Sequence, residues 1–175
     1  MIEEFFKITT NLKKIPRKGW ITKLGISSPE SVADHTFSMS TIAMVLSDLQ
    51  KLDTQKVLKM SLLHDITESI TGDLTPGDIS KNEKIELENK TIDKILGNLP
   101  DDLAKNYLTI WNEYNKNISD EAKLVHEVDK LEMVIQALSY ANDGIEKEKL
   151  EPFVNSAKSQ INSKQLKEIL DKLLQ

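Results

Sequence analysis

The chain has 175 residues with 28 acids against 23 basic residues, a formal net charge of −5, 39% apolar residues and no cysteine. That length suits a single domain, 1–175, with a core of its own; the acidic balance argues against binding a nucleic-acid polymer through its backbone, and no run approaches the roughly 20 apolar residues that span a bilayer. Disulfides and thiolate-bound metals are excluded, so any metal site must draw on imidazole, carboxylate or hydroxyl groups, and histidine is scarce: His35, His64 and His126.

Apolar positions recur at three- and four-residue steps along most of the chain, which predicts an all-α fold. A first helix covers about 2–13; its opening, "MIEEFFKITT", sets acids before apolar residues and lacks a small-residue cleavage site, so the reading is a cytoplasmic protein without a signal peptide. An irregular segment to Ser28 follows, with the basic patch "KKIPRKGWITK" and Trp20. Arg17 is the single arginine among the 23 basic residues, either by chance of composition or because a planar, bidentate donor is needed there. Ser28 as N-cap and Pro29 at the first helical position predict a second helix to about Lys51. A third covers about Thr54 to Ile70 and ends at "TGDLTPGDIS", where Gly-Asp pairs and Pro76 break it. Further helices are expected at about 82–97, 101–116, 119–143 and 150–174, with breaks near Pro100, Gly144 and Pro152.

Several polar residues interrupt the apolar stripes of these helices. His35 stands in the stripe of Val32, Met39, Ile42 and Leu46; His64 and Asp65 extend two adjacent rows of the third helix; Asp129 flanks the stripe of Leu124, Val128, Leu131 and Ile135. Each alone reads more simply as a core histidine bonded to a carbonyl or an aspartate in an interhelical salt bridge. Buried carboxylates without compensation cost several kcal/mol, roughly, after relaxation. Two imidazoles and two carboxylates converging from three helices form a ligand set for one divalent transition metal. With two imidazoles in it, Mn²⁺, Co²⁺, Fe²⁺ or Zn²⁺ suits the set better than Mg²⁺. His126, three residues before Asp129, is read as a packing or surface residue.

His35, the pair His64-Asp65 and Asp129 reproduce the H…HD…D pattern of the HD-domain metal-dependent phosphohydrolases, and the chain resembles that family. More narrowly, "RKGW", "PESVADHTF", "LLHDITESITGDLTP" and "EAKLVHEVDKLEMVIQALSY" are similar to the 5′-deoxynucleotidase branch. The resemblance implies an HD-domain bundle of about six to eight helices and a homodimer. It also implies metal ligation by His35, His64, Asp65 and Asp129, and hydrolysis of deoxynucleoside 5′-monophosphates. By the same resemblance Glu68 and Asp73 belong to the reaction, Arg17 binds the phosphate and Trp20 packs against the sugar. In better-known bacterial members the arginine and tryptophan are adjacent; here Lys18 and Gly19 separate them, which leaves Trp20 a core position as its alternative. Glu68 and Asp73 favour an enzyme over a nucleotide-binding module without turnover, and the short chain favours a monoester over a triphosphate or phosphodiester. A plain helical interaction protein predicts no bound metal.

Overall fold

The computed structural model describes residues 1–75 and 77–175; Pro76, expected as a helix breaker, lies outside them. The described residues form α1 (Ile2–Thr10), α2 (Lys18–Leu24), α3 (Val32–Gln50), α4 (Thr54–Leu63), α5 (Glu68–Thr71), α6 (Lys81–Leu96), α7 (Asp101–Lys116), α8 (Asp120–Asn142), α9 (Lys147–Gln160) and α10 (Lys164–Leu173), with a 3₁₀ turn at Asn11–Lys14. Among them there is no strand, so the all-α expectation holds.

α3, α4 and α8 form the centre. Met39, Ala43 and Leu46 of α3 meet Val57, Met60 and Leu63 of α4 and Val125, Val128, Leu131 and Val134 of α8, all buried in one cluster. Each large aliphatic side chain removed from water contributes about 1.5–3 kcal/mol. These three helices bury their apolar stripes against one another, and polar residues on the same stripes are therefore carried to one place. A smaller cluster of Trp20, Ala137, Tyr140, Leu150 and Phe153 ties α2 to α8 and α9.

The structure departs from the sequence expectation at four boundaries. α3 begins at Val32, not after Ser28, because Ser31 and Asp34 form a reciprocal capping box: Asp34 N–H donates to Ser31 Oγ (3.2 Å) and Ser31 N–H to Asp34 Oδ2 (2.9 Å). Residues on either side of the cap pair with the segment before α2, through Arg17 N–H to Glu30 C=O (3.0 Å) and Val32 N–H to Ile15 C=O (2.8 Å). The basic segment, expected to be irregular, contains α2, which ends at Gly25 in the left-handed region (φ 69°). The helix expected through Ile70 breaks at His64–Thr67. The helix expected over 150–174 is two helices: Pro152 lies inside α9, and the break comes at Ile161–Ser163, where Glu127 accepts N–H bonds from Asn162 (2.9 Å) and Ser163 (3.1 Å).

Candidate metal centre

The break after α4 shapes the site. His64 N–H still donates four residues back, to Met60 C=O (2.9 Å), but Ile66 donates to Leu63 (3.1 Å), Glu68 to Asp65 (3.0 Å) and Ser69 to Ile66 (3.2 Å), each three residues back. In such a tightened turn residues i and i+3 eclipse. Glu68 thus stands over Asp65, and the row expected to join it to His64 at i+4 is not formed.

His35 on α3, His64 after α4 and Asp129 on α8 each offer a ligand atom, and these atoms lie within 4.8 Å of one another. Both histidines are buried, and their ring centroids are 5.5 Å apart. Each is held from behind through Nδ1: His64 Nδ1–H donates to Ser61 C=O (2.7 Å) and His35 Nδ1–H to Glu132 Oε2 (2.5 Å). A carbonyl or carboxylate oxygen only accepts, so both Nδ1 atoms carry the hydrogen and, in the neutral rings, both Nε2 atoms present lone pairs to the site. Neither Nε2 has a well-formed hydrogen bond. Each faces a carboxylate oxygen, His35 that of Asp129 at 3.3 Å and His64 that of Asp65 at 3.0 Å. Two lone pairs opposite two carboxylates need positive charge between them, and the residues therefore fit a divalent cation.

The remaining electrostatics point the same way. Burial works against protonation of His35, but the carboxylates of Asp129 and Glu132 outweigh it and, with no cation bound, push its pKa up to about 9; a divalent ion at Nε2 would take the place of that proton. Burial raises the pKa of Asp65, but His64 and Arg17 hold it well below the usual carboxylate range. For Asp129, burial is outweighed by His35 and by Lys130, whose ammonium lies 2.7 Å from Oδ2. Burial disfavours the charge on Arg17, and Asp65, Asp129, Asp73 and Glu68 more than restore it. Glu68 is 6% exposed, its Oε2 has no hydrogen-bond partner, and burial first, then Asp65 and Asp73, push its pKa up to about 10.

The profile described as HD domain matches residues 9–170. The chain belongs to the HD domain family. Among curated relatives, the 5′-deoxynucleotidase HDDC2 of Danio rerio is 42% identical over 138 residues, covering 78% of this chain and 68% of the relative. The human protein of that name is 34% identical over 171 residues, covering 97% and 83%. Among solved structures, the PH0347 protein from Pyrococcus horikoshii OT3 superposes with a TM-score of 0.81 at 34% identity, covering 98% of this chain and 97% of its own.

Within this HD centre the structure brings together His35, His64, Asp65, Asp129, Glu68 and Arg17, whose Nη1 lies 3.2 Å from Asp65 Oδ2. Asp73 is adjacent, but one of its oxygens accepts the Lys18 N–H (2.7 Å) at the open N-terminus of α2. Trp20, expected against the sugar, is not brought to the group. It is 3% exposed, its ring packs on Phe153 (4.5 Å) and Tyr140 (5.3 Å), and its Nε1–H donates to Glu30 Oε1 (2.9 Å). Trp20 is the third residue of α2 and lies on its buried side. His126 stacks on Tyr114 (4.1 Å) and bonds its carbonyl through Nε2 (3.0 Å), a packing role. Sequence reasoning missed Glu132. Its signal was present, since Glu132 continues the inward row of Val125 and Val128 at three- and four-residue steps.

Proposed function

We propose that the protein is a metal-dependent phosphomonoesterase that hydrolyses deoxynucleoside 5′-monophosphates to deoxynucleoside and phosphate. The observation that carries the reading is the pair of buried Nε2 atoms facing carboxylate oxygens, in a chain whose curated relatives are named 5′-deoxynucleotidases. His35, His64, Asp65 and Asp129 hold one divalent ion, with Mn²⁺, Co²⁺, Fe²⁺ and Zn²⁺ as the candidates that suit imidazole and carboxylate together. When bound, such an ion lowers the pKa of a coordinated water and polarises a phosphate oxygen.

The chain's own groups supply the rest. Arg17 spends one N–H on Asp65 and keeps further donors of its planar fork for the phosphoryl oxygens, where negative charge must be balanced. Glu68, with Oε2 unbonded, would take the proton of the attacking water and return it to the departing 5′ oxygen as the P–O bond breaks, once a cation held by the neighbouring ligands lowered its raised pKa. Asp73 holds the N-terminus of α2 and with it Arg17. The proposal extends to a cytoplasmic protein and to a homodimer, the latter supported by an apolar groove of about 570 Å³ between α1, α3 and α4, lined by Phe5, Phe37, Met44, Leu58 and Leu62.

The test is phosphate release from matched ribo- and deoxyribonucleoside mono-, di- and triphosphates after chelation and readdition of single metals. Deoxynucleoside monophosphates should turn over fastest. Release confined to triphosphates moves the substrate; no release from any nucleotide with any metal sinks the reading.

A further inference from the structure

α8 grips one imidazole from two successive turns. Asp129 Oδ1 stands 3.3 Å from Nε2 of His35, and Glu132, three residues on, accepts the Nδ1–H at 2.5 Å. Glu132 is 2% exposed and His35 is fully buried. A buried carboxylate destabilises the fold unless a partner meets it with good geometry. The Nδ1–H of His35 is that partner. Glu30 lies close enough that Glu30, His35 and Glu132 form a second group of potential ligand atoms within 4.8 Å. Its Oε1, however, accepts the Trp20 indole N–H (2.9 Å), and the Nδ1 of His35 is a donor in this arrangement. That second group is therefore the backing of His35 and not another cation site.

The two histidines of the centre are not equivalent. His64 is backed by a neutral carbonyl, Ser61 C=O at 2.7 Å, and His35 by an anion. A carboxylate on Nδ1–H fixes the tautomer, locks the ring plane and raises the electron density that Nε2 offers a cation. We infer that Glu132 is the positioning residue of the centre: it orients His35 and strengthens Nε2 as a donor to the divalent ion, without touching the ion or the substrate. This role rests on the metal-centre reading above.

The experiment titrates Co²⁺ into chelator-treated wild-type and Glu132→Gln proteins, following the visible absorption of the bound ion and, separately, the far-ultraviolet circular dichroism. The wild type should bind one equivalent. The variant, keeping an acceptor but losing the charge, should bind about 10–100-fold more weakly, with an altered Co²⁺ spectrum and an unchanged helical signal. Equal affinity in the two proteins overturns the role of Glu132 alone, whereas a wild type that binds no ion overturns the metal-centre reading and this inference with it. A second measurement needs no substitution: in wild-type protein loaded with Zn²⁺, long-range ¹H–¹⁵N spectra should show the hydrogen of His35 on Nδ1. Finding it on Nε2 overturns the inference even if the variant fails to fold.

Discussion

At Glu68 a low-dielectric wall and two like charges act on one carboxyl group, so that in the absence of a cation it is protonated well above the usual carboxylate range, to about 10. Its folded pKa lies above the ordinary 4.5, so folding takes up a proton. The resulting stability is fully present below about pH 4.5 and is lost as pH rises toward 10. Chelator-treated wild type should therefore lose Tm between pH 6 and 9, and Glu68→Gln should lose less of it; parallel curves would refute the assignment. In loaded protein the same variant should keep its metal and lose rate by about 10²–10⁴-fold, the usual worth of a positioned acid–base group, as read by metal content and phosphate release together. His35, His64, Asp65 and Asp129 were legible in sequence because each breaks or flanks an apolar stripe, where a polar residue needs a reason. Glu132 obeys the same rule, but its row continues to the side of the stripe that was counted. The pairing of Glu68 with Asp65 was illegible, since it depends on a turn tightening from four to three residues that periodicity alone does not record.

Among the elements, α3 depends most on a local device, because its capping box sits one turn before His35. Ser31→Ala removes the acceptor for Asp34 N–H and should cost about 1 kcal/mol by chemical denaturation, with a weakened metal affinity as the first turn frays; no change in the denaturation midpoint would deny the box its part. The long helices were readable from their stripes, since their burial is what forms the core. The boundaries were not. Ser28-Pro29-Glu30 and Ser31-Val32-Ala33-Asp34 are both plausible starts, and tertiary pairing of Ile15–Arg17 with Glu30–Val32 selects the second. Similarly, Glu127 of α8 selects the break between α9 and α10 by taking two N–H groups that a continuous helix would have used internally.

Across the whole molecule, burial at the centre contrasts with apolar exposure at the groove between α1, α3 and α4, where Phe37 is 74% and Leu62 55% exposed. If a second copy covers this side, light scattering should give a dimer mass, and Phe37→Asp with Leu62→Asp should give a monomer of unchanged helicity; a wild-type monomer at micromolar concentration would refute the pairing. The fold class was legible because it follows from patterned burial, as was the inward placing of His35 and His64. For Trp20 the spacing after Arg17 left a core position open beside the sugar contact, and the cluster with Tyr140 and Phe153 that decides for the core is assembled only in the folded chain. The metal-dependent phosphatase is tested most directly by phosphate release from deoxynucleoside 5′-monophosphates, using chelator-treated wild type and Asp129→Ala before and after readdition of Mn²⁺ or Co²⁺. Release should be absent after chelation, return with about one equivalent of ion in the wild type, and stay absent in the variant. Full release without metal, or from Asp129→Ala, would contradict a catalytic centre built on His35, His64, Asp65 and Asp129.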